Sequence, residues 1–163
     1  MTGALERNIY KTGAREYALH TAAKASRGAL VNTGYDADTL NLEMQDIPTD
    51  ISALVLADPK MELSNSVQGK LQQYVQNGGN LFISGEPGKQ YVLNPFLKQL
   101  GVLLIDGQLV EPTYDETPDK IVPFMTAYTS KLQKELSWIG ASLTSKKDTL
   151  KILMPGATGL SYT

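Results

Sequence analysis

Two acidic residues each follow a short apolar run and stand directly before a proline: Asp58-Pro59 after Ser52–Ala57, and Glu86-Pro87 after Leu81–Ser84. In parallel α/β sheets, ligands gather outside the carboxyl ends of the strands. Carboxylates on two neighbouring strand ends could hold a metal ion or divide acid and base roles between them. The plainer use of the same residues is to cap helices or shape turns before proline, and it is the commoner one. Other chemical signatures are incomplete. Ser84-Gly85-Glu86 follows a strand as a nucleophile elbow would, but Phe82 occupies the first glycine of the G-x-S-x-G frame. The single histidine, His20, falls inside an Ala- and Tyr-rich segment, which argues against a Ser/His hydrolase. Gly85-Glu86-Pro87-Gly88-Lys89 has a glycine and a lysine, yet Gln90 stands where a phosphate-binding loop needs Ser or Thr.

Cysteine is absent, which excludes thiol catalysis, thiolate metal sites and disulfides together. The net charge of −2 and the scattered basic residues, with Lys146-Lys147 the only adjacent pair, give no footprint for nucleic acid. The tyrosines do not cluster with basic residues, so base stacking has no support. No apolar run is long enough to span a bilayer, and Met1–Arg7 is not a secretory signal.

The elements that must position the two carboxylates read as strand, helix, strand across Ile51–Gly88. Ser52–Ala57 and Leu81–Ser84 are nearly continuous apolar runs. Between them, Ser64–Asn77 repeats apolar residues at helical spacing (Val67, Leu71, Tyr74, Val75) and stops at Gly78-Gly79. This is the pattern of a parallel β-α-β unit with helices on both faces of its sheet. Upstream, the spacing predicts a helix from Thr12 or Gly13 to about Val31, ended by Gly34, and a short strand at Thr39–Leu42. Downstream it predicts a helix over Gln90–Leu100 that starts late or breaks at Pro95. A β-hairpin is expected from Val102–Ile105 to Gln108–Val110 across Asp106-Gly107. Beyond it lie a polar loop over 111–119, an edge strand at Ile121–Met125, a helix over Ser130–Ile139 and a last strand at Leu150–Met154.

The fold expectation is therefore a single α/β domain over 1–163: a three-layer, mostly parallel sheet with an appended β-hairpin. Its core lies in about 1–110, and 111–163 is a loop-rich extension returning to the sheet. The opening without a strand, and the stop at Thr163 nine residues after the expected Leu150–Met154 strand, suggest a piece of a longer protein. A missing first strand predicts either an open slot between Thr39–Leu42 and Ser52–Ala57, which would invite dimerisation or strand addition, or direct pairing of those two strands.

A family resemblance is carried by Leu40-Asn41-Leu42, Ile47-Pro48-Thr49-Asp50-Ile51, Leu54–Pro59, Leu63-Ser64 and Leu71–Ile83. Asn94–Val102 and Met154-Pro155-Gly156-Ala157 add to it. These stretches resemble the soluble domain of ABC transporter auxiliary proteins, the gliding-motility-type components with a flavodoxin-like or glutamine-amidotransferase-like fold. The resemblance implies a membrane-anchored parent, with this domain on the extracytoplasmic (periplasmic) side and permease and ATPase subunits as partners. Gly3-Ala4-Leu5-Glu6 stands where the family shows a Gly-His-Gly-Glu-like turn, keeping Gly3 and Glu6 and lacking the His. Amidotransferase chemistry does not carry over without a cysteine.

The expected function is a non-catalytic domain that binds a substrate or a partner subunit, with Gly3, Glu6, Asp58 and Glu86 as binding residues. No catalytic residue, metal or cofactor is expected, and a homodimer is admitted. The alternative is a hydrolase or carbohydrate-active enzyme using Glu6, Asp58 and Glu86 around one cleft. It requires those carboxylates to converge, with at least one pKa raised.

Overall fold

Leu54-Val55-Leu56-Ala57 and Leu81-Phe82-Ile83-Ser84 form strands β1 (Leu54–Ala57) and β2 (Leu81–Ser84), paired in parallel in register Leu54↔Leu81 through Ala57↔Ser84. The computed structural model in which they are seen describes residues 1–8, 20–112, 115–123 and 153–163. The crossover is helix α1 (Asn65–Gln76), whose start is set by Ser64: its hydroxyl accepts the Val67 N–H at 3.2 Å. Val67 and Leu71 turn inward against Leu54 and Leu56. The helix ends at Gly78, in the left-handed region at φ +84°. Gly79 serves another purpose, because a Cβ there would run into the Tyr74 ring. That ring folds over the turn and donates its hydroxyl to the Asn80 carbonyl at 3.2 Å.

Helix α2 (Gln90–Leu97) passes through Pro95 without breaking and tightens into a 3-10 turn at Lys98–Leu100 before Gly101. Two things outweigh the bond lost at Pro95. Val92, Leu93, Phe96 and Leu97 are buried, and the Asn94 amide clamps strand β3 (Val102–Leu104). Asn94 donates to the Leu104 carbonyl at 3.0 Å and accepts the Leu104 N–H at 2.9 Å. Leu54, Leu56, Leu71, Leu93 and Phe96 form the heart of the core.

Several expectations are corrected. Among the described residues, helical backbone extends only over His20 and Thr21, and Ala22–Ala29 is a series of turns before a 3-10 turn at Leu30–Thr33. The Asn32 amide donates to the Lys24 and Ser26 carbonyls (2.9 and 2.7 Å), competing with helix formation there. Gly34 does end the turn in the left-handed region, at φ +94°. Thr39–Leu42 is not a strand but a single parallel bridge, Thr2 to Asn41. The Asn41 side chain then accepts the Glu43 N–H at 3.0 Å and turns the chain. The foreseen slot is bridged, for the Met1 amine donates to the Val55 carbonyl, Thr2 N–H to Leu40 and Arg7 N–H to Ala57, each at 2.8 Å.

The hairpin at Asp106-Gly107 does not form. Strand β3 pairs instead with β6 (Leu160–Tyr162), antiparallel, in register Val102↔Tyr162. Gly107 turns at φ +91°, but the chain leaving it bonds elsewhere: Leu109 N–H to Ala157 and Glu111 N–H to Pro118, both at 2.8 Å.

The chain divides into two compact units, Met1–Asp106 with Leu160–Thr163, and Gly107–Gly159. In the second, β4 (Lys120–Ile121) pairs antiparallel with β5 (Met154–Pro155), and Lys120 pairs with Glu116. The expected helix start at Thr12, the helix over Ser130–Ile139, residues 124–125 of the edge strand and residues 150–152 of the last strand lie outside the described residues.

Candidate functional site at the strand ends

Where β1 ends, Asp58 carries the ladder one residue further by donating its N–H to the Ser84 carbonyl at 2.8 Å. It then turns the chain at φ +51°, a conformation that Asp tolerates better than most residues with a Cβ. The turn tucks its side chain in, leaving it 5 % exposed, with Pro59 fully buried behind it. Opposite, Glu86 leaves β2 through Gly85, where a Cβ would stand 2.5 Å from Leu93.

Two cations join these acids. The Arg7 Nε donates to Asp58 Oδ2 at 3.1 Å, and its Nη2 to Glu86 Oε1 at 3.2 Å. Lys60 Nζ donates to Asp58 Oδ2 at 2.6 Å and to Glu86 Oε2 at 2.7 Å. The result is a closed ring of alternating charge with no net charge. The backbone places both cations: Arg7 N–H is held by Ala57, and the Ala4 carbonyl receives the N–H groups of Lys60 (2.9 Å) and Met61 (3.2 Å). Segment 3–7 and loop 58–61 thus clasp one another across the end of β1.

The ring stabilises its own charges. The Lys60 hydrogen bonds hold the Glu86 carboxyl below its ordinary value; partial burial opposes this, and the charges of Lys60 and Arg7 reinforce it. For Lys60, partial burial pulls the pKa down but is outweighed by hydrogen bonds and charge from Asp58 and Glu86, so the ammonium titrates above its ordinary value. One atom stands apart: Asp58 Oδ1 is buried and has no hydrogen-bond partner among the described residues.

Of the residues singled out in the sequence, Asp58 and Glu86 meet through shared cations. Gly3 and Glu6 line a separate cavity of about 260 Å³, together with Glu43, Met61 and Glu62. Glu6 is buried and accepts the Ala4 N–H at 2.8 Å, so it closes its own turn. Gly3 is required by that turn, at φ +132°. His20 is exposed. A larger cleft of about 420 Å³ lies at the opposite ends of β1 and β2, lined by Ser52, Lys70, Tyr74 and Asn80 among others. Arg7 and Lys60 were not singled out. The available signal was the close sequence spacing of Lys60 to Asp58 and the need of any buried carboxylate for a counter-charge.

Chemically, the ring suits recognition or fastening better than proton transfer. A general acid needs a raised carboxyl, and Glu86 is held the other way. Among the described residues no group of three His, Asp or Glu side chains could hold a metal ion.

A model of the ABC-type uncharacterized transport system family, which comprises auxiliary components, matches residues 11–114. The chain belongs to this family. The matched region of this ABC-type transport auxiliary chain contains Asp58, Lys60 and Glu86 but begins after Gly3, Glu6 and Arg7. Among solved structures the chain is similar to "mmIFT52 N-terminal domain", with a TM-score of 0.56 and 14 % identity. The likeness covers 82 % of this chain and 58 % of that one, and it is a likeness of fold alone. No curated protein matches the chain. No helix among the described residues is long and apolar enough to cross a membrane.

Proposed function

We propose that this chain is a non-catalytic domain of an ABC transport auxiliary component that binds a transported substrate or a partner subunit. In this reading it sits on the extracytoplasmic side, in a gliding-motility-type system, carried by a membrane-anchored parent. In the same reading it is built on a three-layer, mostly parallel sheet of flavodoxin-like or glutamine-amidotransferase-like type. The partners are the permease and ATPase subunits, reached through the parent, and a second copy of the chain. Family membership supports the transport setting. The observation that carries the non-catalytic reading is the neutral ring, in which Arg7 and Lys60 engage both strand-end carboxylates. The hydrolase alternative needs Glu6 to join Asp58 and Glu86; Glu6 instead closes its own turn.

The test is affinity purification of the tagged parent from its native membrane, with quantification of co-purified permease and ATPase. Recovery of both at near-stoichiometric levels is the expected result. Recovery of neither, with glycoside or ester hydrolysis that disappears in Glu86→Gln, would overturn the proposal.

A further inference from the structure

The cavity beside Gly3 is acidic. Glu6, Glu43 and Glu62 line it, and among the described residues there the Met1 amine is the only cation, already donating to the Val55 carbonyl at 2.8 Å. Glu43 and Glu62 have no ion-pair partner among the described residues. Glu6 decides what the cavity can take, since it is only 4 % exposed. Its Oε2 accepts the Ala4 N–H. Its Oε1 has no partner among the described residues and, unlike Asp58 Oδ1, is not sealed off. That oxygen opens on the cavity that Glu6 lines. A desolvated carboxylate with a free acceptor calls for a cationic donor. Glu43 stands close to the same turn, its Cγ 3.7 Å from where a Cβ on Gly3 would be. Leu63 and Val67 supply buried apolar wall, and Glu62 offsets the partial positive charge at the start of α1.

We propose that this cavity binds a small aliphatic primary amine, its ammonium held by Glu6 Oε1 and Glu43 and its carbon stem laid against Leu63 and Val67. Other cations fit less well. Among the described residues no three acidic or His side chains could hold a metal ion, so a bare divalent ion lacks its set of oxygen ligands. A guanidinium fork asks for both oxygens of one carboxylate, and Glu6 has committed one to Ala4. A quaternary ammonium asks for aromatic faces, and none lines the cavity among the described residues. An alkylammonium is a compact point charge whose N–H groups each take a single acceptor. The volume of about 260 Å³ lies below the roughly 300–1,000 Å³ that holds drug-sized molecules, so the stem is short. The inference rests on the substrate-binding part of the function proposed above and names its substrate class. It makes no use of the permease and ATPase contacts, so each can fail while the other stands.

The test is titration of the 163-residue chain with n-butylammonium chloride, followed by NMR and calorimetry. Saturable shifts are expected at the Gly3 amide and the Thr2 and Val67 methyls, with the Ser52 and Asn80 amides unmoved. Tetramethylammonium, which has no N–H, should bind about tenfold more weakly, the loss of a charge-assisted hydrogen bond. Nα-acetyl-lysine amide carries the same ammonium on a peptide and should also bind more weakly, because the cavity is sized for a short free amine. Glu6→Gln should weaken butylammonium about tenfold. If that variant does not fold, Glu43→Gln, which alters an exposed side chain and leaves the Ala4 turn intact, should weaken it several-fold. Four results would overturn the proposal: no saturation at millimolar amine, calcium ion or tetramethylammonium binding as tightly, the lysine amide binding as tightly or better, or an affinity unchanged in Glu43→Gln.

Discussion

Among the described residues, Asp58 takes its two ion-pair partners on one oxygen and leaves the other buried and unbonded. Removing a partner from such a carboxylate costs more than removing a surface charge, because the remaining charge stays desolvated. Lys60→Met is expected to destabilise the fold by about 1–2 kcal/mol, a figure discounted because the Lys60 side chain is a third exposed. Glu86→Gln, at a residue nearly half exposed, should cost under about 1 kcal/mol. Urea unfolding of both variants checks the order. The same ring sets a pH dependence. Because folding lowers the Glu86 pKa, the unfolded chain binds more protons on the acid side. Its contribution is then present above the ordinary value of 4.5 and lost as pH falls through the folded one. Lys60 is raised, so its contribution is full below 10.5 and lost as pH rises through its folded value. Stability against pH should therefore show an acid limb that flattens in Glu86→Gln and an alkaline limb that flattens in Lys60→Met. Asp58 and Glu86 were legible because strand ends are readable from apolar runs. Arg7 was not, since a solvated arginine has no periodicity and its partners are distant in sequence.

At the scale of elements, what holds the first unit together is the packing of α1 and α2 on Leu54 and Leu56. Phe96→Ala should cost about 3–5 kcal/mol, read from chemical denaturation. Gly79→Ala, forcing a methyl against the Tyr74 ring, should cost about 1–3 kcal/mol as an overpacking change. The β-α-β unit was readable because its signals are local: two apolar runs, helical spacing between them and a glycine stop. The hairpin was misread because Asp106-Gly107 specifies a turn but not a partner, and β3 finds its own in β6, far along the chain. The helix expected to reach Val31 stops early for a related reason. Alanine spacing favoured it, while Gly28 and the Asn32 amide supplied competing turns that periodicity does not weigh.

For the whole molecule, the return of Leu160–Thr163 to the first unit ties the end of the described chain to β3. Deleting residues 160–163 is expected to speed amide exchange in Val102–Leu104 while β1 and β2 keep their protection, measurable by mass spectrometry. The ring at the strand ends also bears on how any partner arrives there. Two cations and two anions cancel within a few ångströms, so little field extends beyond the site and long-range attraction is not available to guide an encounter. Capture at this end of the sheet should proceed at the unassisted rate of roughly 10⁵–10⁶ M⁻¹s⁻¹ and change little with ionic strength.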